Sequence, residues 1–90
     1  MSERVNSIRE RLSQTFQPQQ LDIVDDSAAH AGHEGAKHGG HFNVYIVSDA
    51  FDGKNPIQRH RMVYHALNDL MQGEIHALSI QAKTIHESNV

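Results

Sequence analysis

The chain has 90 residues, the size of one small domain, and we expect a single domain spanning residues 1–90. Its formal net charge of −3 argues against a general polyanion binder, because no broad positive field attracts phosphates. There is no cysteine, which excludes thiol redox chemistry and a cluster bound only by thiolates of this chain. No segment approaches the roughly 20 apolar residues of a membrane helix, and no targeting sequence is evident. We therefore expect a cytoplasmic protein that does not associate with membranes.

The first half of the chain predicts one helix and two strands. Apolar residues recur at helical spacing over 2–16, ahead of Pro18. Short segments at 21–24 and 42–47 alternate apolar and polar residues, which predicts strands. The segment between them, 27–40, is rich in glycine and histidine and has no apolar period, so it predicts a long mobile loop.

The second half predicts a turn, a helix and a third strand. The turn, 48–54, leads into a helix over 56–71 that has proline at its first position. An alternative prediction is that this helix begins with a separate short turn around 56–59. Alternation over 75–84 predicts the third strand, and the polar segment 85–90 predicts a frayed tail.

These elements define an α+β fold. The first two strands are expected to form an antiparallel hairpin that contains the long loop. The helix between the second and third strands makes a crossover connection, so these two strands should be parallel. Both helices are then expected to cover one face of a three-stranded mixed sheet.

Histidine is the residue type that points to chemistry in this chain. Of the eight histidines, His30, His33, His38 and His41 lie in or beside the predicted loop, and His76 opens the third strand. Imidazole is the nitrogen or sulfur ligand that the side chains offer to a soft metal, and two histidines do not complete a tetrahedral site. A metal bound through the loop and His76 therefore requires further ligands from a partner.

From composition and periodicity alone, structural interpretations of the same histidines are favoured. His76 falls in phase with Leu78 and Ile80, which favours a partly buried histidine bonded to the backbone. His30 is surrounded by the glycines and alanines of a segment that is typical of a solvated loop. A third hypothesis is that the loop histidines together act as a general metal buffer that binds Zn or Ni. His60 falls on the inward phase of its helix, which predicts a core or helix-junction histidine.

Several segments together resemble the BolA-like protein family. Residues 59–67, with the sequence RHRMVYHAL, and residues 75–80, with the sequence IHALSI, resemble its signature half. The segment 41–53 is similar to the family's second strand and turn, and 26–30 to its loop entry. The resemblance covers nearly the whole chain.

This resemblance implies a fold similar to the class II KH domain, with the element order αββ(α)αβ. It also implies a non-enzymatic role, because BolA-like proteins pair with monothiol glutaredoxins and share a [2Fe–2S] cluster with them. The chain would then act in iron–sulfur cluster assembly, trafficking or iron sensing, as a heterodimer with the glutaredoxin. The free chain is expected to be a monomer without a cofactor of its own.

The resemblance also implies the ligands. The family's ligand in the Ile-His-Ala-Leu segment corresponds to His76, and its loop ligand corresponds to His30. The glutaredoxin contributes its cysteine and its bound glutathione. The loop is longer and richer in histidine here than in relatives, which leaves His33, His38 and His41 as substitutes for His30. His41 also fits a structural role at the start of its strand. No catalytic residue is expected.

A second interpretation is a nucleic-acid-binding transcriptional regulator, because some BolA-like proteins are linked to transcription. Lys54, Arg59 and Arg61 would contact DNA phosphates at the start of a helix-turn-helix-like element. The net acidity of the chain and its 6% of aromatic residues argue against this interpretation. A solvated basic face is the simplest structural reading of the three side chains.

Overall fold

The computed structural model describes residues 3–26, 40–72 and 75–88, except for the side chain at position 76. The described part contains three helices, three strands and two short 3-10 turns, which agrees with the predicted α+β class. In chain order these are α1 (Glu3–Phe16), β1 (Gln20–Asp25), β2 (Gly40–Val47), a 3-10 turn (Asp49–Phe51), α2 (Pro56–Ala66), a second 3-10 turn (Leu70–Gln72), β3 (Ile75–Lys83) and α3 (Ile85–Ser88).

The sheet has the order β1-β2-β3, so β2 is the central strand. β1 pairs with β2 in antiparallel orientation, in a register that runs from Gln20 opposite Val47 to Asp25 opposite Phe42. β2 pairs with β3 in parallel orientation. The predicted hairpin and the predicted parallel crossover are both confirmed. The last residue of the predicted loop 27–40 differs from the prediction, because Gly40 belongs to β2. The remaining residues, 27–39, lie outside the described residues.

The core lies on one face of the sheet, under α1 and α2. β2 alternates between the two faces, so Phe42, Val44 and Ile46 are buried while Asn43 is exposed, and Val47 at the end of the strand is buried as well. α1 contributes the apolar stripe that the helical spacing predicts. The helices therefore cover one face, and Ser79 and Gln81 are exposed on the other. The buried apolar residues of α1, β2 and α2 are Val5, Ile8, Leu12, Phe16, Phe42, Val44, Ile46, Val47 and Val63.

Ser48 connects three elements at the end of β2. Its buried hydroxyl donates to the Phe16 carbonyl over 2.7 Å and accepts from the Ala50 N–H over 3.1 Å. Its own N–H donates to the Lys83 carbonyl over 2.9 Å. The predicted turn then reverses the chain at Gly53, whose φ of 76° is a left-handed conformation that favours glycine.

Side chains cover both edges of the sheet. On β1, the Leu21 carbonyl accepts from the Arg9 guanidinium over 3.4 Å. On β3, the Leu78 carbonyl accepts from the Tyr64 hydroxyl over 3.2 Å. The Ala82 carbonyl accepts from the Arg59 guanidinium over 3.0 Å. An edge strand with unpaired carbonyls is a template for pairing with another chain, so these contacts limit edge-to-edge association.

α2 begins as predicted but ends earlier. Asn55 caps the helix, and its side chain and that of Gln58 form a reciprocal capping box. The helix ends at Ala66, and a 3-10 turn over 70–72 replaces the last predicted turn. Residues 56–59 belong to α2 without a separate turn, and the 3-10 turn at 49–51 lies within the predicted turn 48–54.

The start of α2 does not enter the core, contrary to the predicted apolar stripe. Ile57 is 64% exposed, and His60 is exposed with its ring centroid 4.5 Å from that of Tyr64. Burial begins only in the second half of the helix, where Val63 is fully enclosed. The prediction of a core histidine at position 60 is therefore wrong, because helical phase alone does not indicate where a helix leaves the sheet.

The end of the chain also differs from the prediction. Residues 85–88 form one helical turn, α3, where a frayed tail is expected from the polar sequence. Thr84 caps this turn, so a local side-chain contact supplies what hydrophobicity does not.

The first prediction concerns the contact between α1 and the sheet. Leu12 is fully buried, so Leu12→Ala should lower the free energy of unfolding by about 2–5 kcal/mol through lost burial and a cavity. Ser13→Ala, on the exposed side of the same helix, should change it by less than about 0.5 kcal/mol. Urea unfolding followed by circular dichroism measures both values. Equal losses in the two variants would contradict the assignment of this helix face to the core.

Candidate functional site

Three segments of the chain come together at one end of the sheet. β1 ends at Asp25 and β2 begins at Gly40, and β3 begins at Ile75 beside the start of β2. The Asp26 N–H donates to the His41 carbonyl over 2.7 Å, which closes the hairpin at this end. Segment 27–39 thus leaves the sheet and returns to it at the end where β3 starts.

The backbone at position 76 lies at this end, and the loop histidines are tethered to it. A chain spans at most about 3.6 Å per residue. In the sequence His38 is two residues from Gly40 and His30 is four residues from Asp26, so chain length alone allows either histidine to reach this end of the sheet. His30, His33 and His38 lie outside the described residues, and their assignment as ligands stays a prediction.

β3 does not pair regularly with β2 at this end. Gly40 is opposite Ile75 but His41 is opposite Ala77, so His76 is an extra residue between two paired positions. Burial agrees with this register shift, because Ile75 and Leu78 are both in the core although they are three residues apart. The shift removes the basis for placing His76 in phase with Leu78, since strict alternation ends before that position. Sequence periodicity gave no signal for this bulge.

His41 lies on the sheet face that the helices do not cover. It is partly buried and borders a small depression of about 90 Å³, whose lining includes Asp26, Ala77 and Ser79. This depression opens beside the first residues of β3. His41 therefore lies near the backbone of position 76, in a place that suits either of the roles expected for it.

The described side chains do not form a complete metal site. Over 3–26, 40–72 and 75–88, with position 76 left aside, no group of three histidine, aspartate or glutamate side chains is arranged to bind a metal ion. The donor chemistry of the sequence leads to the same requirement. With no thiolate in the chain, a soft metal here needs ligands from elsewhere.

Arg59, a phosphate contact in the alternative interpretation, is bonded within the protein. Its Nε donates to the Lys54 carbonyl over 2.8 Å, and its Nη1 donates to the Ala82 carbonyl over 3.0 Å. Its guanidinium also forms a two-point ion pair with the Glu87 carboxylate, in which Nη2 and Oε2 are 3.1 Å apart. The Arg59 side chain is only 12% exposed. Arg59 therefore links α2, β3 and α3, whereas Lys54 and Arg61 are exposed.

Glu87 completes this contact from α3. Its carboxylate accepts from the Thr84 N–H over 2.9 Å, and its N–H donates to the Thr84 hydroxyl over 3.2 Å. The Arg59 guanidinium and then the Thr84 N–H stabilise the charged carboxylate, which lowers the Glu87 pKa to about 2. The sequence signal for this capping box was threonine followed three residues later by glutamate. The Arg59 partner had no local signal.

The fold and this site define a small α+β protein that brings histidines to one end of a mixed sheet without any cysteine. Residues 12–87 match the family model described as BolA-like protein. The chain belongs to the BolA-like family. Within the described ranges, no helix is both long and apolar enough to cross a bilayer.

Individual relatives agree with this assignment. The chain is 46% identical over 89 residues to Protein BOLA1, chloroplastic, of Arabidopsis thaliana, over 94% of this chain and 56% of that protein. It is 40% identical to the DNA-binding transcriptional regulator BolA of Escherichia coli, over 89% of this chain and 74% of that protein. The chain spans only about half the length of BOLA1 and 22% of SufE-like protein 1 of Arabidopsis thaliana.

Solved structures show the same fold. The BolA domain of SufE1 from Arabidopsis thaliana has a TM-score of 0.86 at 45% identity, over 97% of this chain and 98% of that one. BolA1 from Mus musculus has a TM-score of 0.82 at 38% identity, over 99% of this chain and 71% of that one. Two curated relatives carry chloroplastic or chloroplastic/mitochondrial names, so the cytoplasmic location stays a prediction.

The second prediction concerns the attachment of α3. Because the folded pKa of Glu87 is lowered to about 2, its contribution is present above its ordinary value of 4.5 and is lost as the pH falls towards 2. The amide resonances of 85–88 should therefore shift in a single transition within that range. Glu87→Gln should shift them already at pH 7 and remove their acid transition. An unchanged transition in Glu87→Gln would contradict the role of this carboxylate.

Proposed function

We propose that this chain is a non-enzymatic partner of a monothiol glutaredoxin, with which it shares a [2Fe–2S] cluster in iron–sulfur cluster assembly, trafficking or iron sensing. The observation that carries the proposal is the topology of the site. Asp26 and Gly40, which flank the histidine-rich segment 27–39, and the backbone of His76 lie at the same end of the sheet. A loop imidazole and a strand imidazole from distant parts of the sequence can therefore approach one metal.

The donor set of this chain fits half of a cluster site. A [2Fe–2S] cluster has four protein ligand positions, which are cysteines in ordinary ferredoxins and two histidines plus two cysteines in Rieske centres. This chain offers imidazoles and no thiolate. His76 and His30 would supply two ligands, and the glutaredoxin cysteine and its glutathione would supply the thiolates. When bound, a cluster with imidazole ligands has a higher reduction potential than one with thiolates alone.

His30 is the loop ligand that we favour, because it corresponds to the family's loop position. Its tether of four residues from Asp26 allows it to approach the start of β3 without any change in the sheet. His33, His38 and His41 remain the substitutes. In the sequence His38 is two residues from the start of β2, and His41 belongs to β2 itself, where it is paired with Ala77 of β3. A neutral imidazole ligand also makes binding sensitive to pH, since protonation of the ring releases the metal.

The third prediction tests the strand ligand. His76→Ala should abolish the visible absorption and circular dichroism of the cluster when the chain is purified anaerobically with a monothiol glutaredoxin. His65→Ala is the matched control, because His65 is exposed on α2 and has no proposed role. It should leave cluster yield and spectrum unchanged. An unchanged spectrum in His76→Ala would contradict the ligand assignment.

The same preparation identifies the loop ligand. His30, His33, His38 and His41 are each replaced by alanine, and cluster yield is measured against His65→Ala. We expect His30→Ala to reduce the yield most. A larger effect of another single replacement would transfer the role to that residue and leave the function unchanged. Retention of the cluster by a variant in which all four histidines are replaced together would contradict the assignment of a loop ligand.

A nucleic-acid-binding regulator is the second candidate function. The name of the Escherichia coli relative favours it, because that protein is described as a DNA-binding transcriptional regulator. In this chain Lys54 and Arg61 are exposed and have the charge for phosphate contacts. Arg59 has its guanidinium bonded to Glu87 and to two carbonyls, which leaves the candidate surface with less positive charge than the sequence indicated.

The fourth prediction tests this candidate by DNA titration at several salt concentrations. If the chain contacts phosphates through Lys54 and Arg61, replacing both by glutamine should make the slope of log affinity against log salt shallower by about 2 units. Ser79→Ala, on the exposed sheet face, should not change the slope. Affinity that is negligible and independent of salt in the unchanged chain would remove this function.

A further inference from the structure

The register shift between β2 and β3 coincides with the residue proposed to bind the cluster. In the paired ladder, Gly40 is opposite Ile75 and His41 is opposite Ala77, which leaves His76 without a paired position. Bulges of this kind are rare between parallel strands, and they are over-represented at sheet edges and next to functional sites, where they change the direction of a side chain. β3 is an edge strand, so the bulge alone does not indicate a site, and its coincidence with the proposed ligand is what needs an explanation.

Alternation without the bulge would place the wrong residue in the core. Leu78 is buried and Ala77 is only partly buried, so counting back by strict alternation gives the core-facing position to residue 76 and the open-face position to residue 75. The observed arrangement differs, because Ile75 is 3% exposed and occupies the core beside the start of β2. The extra residue thus lets Ile75 fill the core, although strict alternation from Leu78 assigns position 75 to the open face.

Packing of the core alone does not explain why isoleucine precedes histidine at positions 75 and 76. Exchanging the order of Ile75 and His76 would give a regular strand with an apolar residue at the core-facing position. A buried histidine at that position would be enclosed by apolar residues of α2 and β2 and would be inaccessible to a ligand supplied by another protein. The bulge costs ladder pairing, and the paired register that contains it no longer assigns residue 76 to the core face.

We infer that the β-bulge at position 76 is a positioning device that keeps His76 out of the core-facing ladder, so that its imidazole can bind metal supplied by the partner. This inference rests on the proposed function. Gly40, opposite the start of the bulge, and Ala77, which follows it, are then positioning residues that act through the backbone and do not contact the metal.

The fifth prediction uses two insertions of identical composition. One alanine inserted between Gly40 and His41 gives β2 a partner for residue 76, removes the bulge and assigns residue 76 to the core face. One alanine inserted between Gly39 and Gly40 lengthens the loop equally and leaves the ladder intact. Cross-strand amide contacts measured by NMR verify the register of each variant, and thermal unfolding verifies that each is folded.

The two insertions should differ in cluster binding. The insertion after Gly40 should weaken binding of the cluster in the glutaredoxin complex by roughly tenfold to a hundredfold, the range expected when the support of a metal ligand is lost. The insertion before Gly40 should bind as the unchanged chain does. In the free chain, diethyl pyrocarbonate should modify His76 more slowly in the first variant only, as measured by peptide mass spectrometry.

If the variant with alanine inserted after Gly40 unfolds or forms a new bulge, a third variant tests the inference. Deletion of Ala77 also removes the bulge, but it leaves Ile75 and Leu78 in the core and residue 76 on the open face. This variant should keep the cluster. The inference is overturned if a folded, bulge-free insertion variant binds the cluster normally, or if the folded Ala77 deletion loses it. Normal binding by His76→Ala would instead contradict the ligand role of His76 that the proposed function includes and on which this inference rests.

Discussion

The pairing of β2 with a strand on each side is the constraint on which the rest of the structure depends. β2 is antiparallel to β1 and parallel to β3, so the end of β1 and the starts of β2 and β3 must meet at one end of the sheet. Its buried side chains Phe42, Val44 and Ile46 form the centre of the core. Because one face of β2 is fully buried, a slip of one residue would expose that whole set, and the register is strongly determined.

Ion pairs fix α2 over this sheet at both of its ends. Near its start, Arg59 bonds to the Ala82 carbonyl of β3 and to Glu87 of α3. Near its end, Arg11 of α1 bonds to the Ala66 carbonyl over 2.9 Å and to Asp69 over 3.0 Å. The Arg11 contact lowers the Asp69 pKa to about 2, as the Arg59 contact does for Glu87. Both carboxylates are partly exposed, so these pairs orient the helices more than they stabilise the fold.

Much of the fold could be predicted because its signals are local or periodic. Helical spacing located α1, and alternation located β2 and most of β3. The order of the elements then implied the mixed sheet through the general rule for crossover connections. The capped start of α2 was readable from Asn55 followed by proline. The resemblance to the BolA-like family, now confirmed, added the candidate ligands that periodicity could not distinguish from ordinary polar residues.

The features that escaped prediction depend on contacts between distant residues. The exposure of His60 and Ile57 depends on where α2 crosses the sheet, which its helical phase does not encode. The role of Arg59 depends on Glu87, 28 residues away, so a basic side chain that appeared free in the sequence is bonded in the structure. The bulge at His76 depends on the strand opposite, and only the paired register reveals it.

The proposed function requires that histidine side chains of this chain bind a cluster whose other ligands come from a glutaredoxin. Pulsed electron paramagnetic resonance of the reduced complex measures this bonding, with this chain labelled with 15N in histidine only and the glutaredoxin unlabelled. We expect 15N hyperfine couplings from two imidazoles bonded to the iron. A reduced cluster that shows no 15N coupling would contradict it.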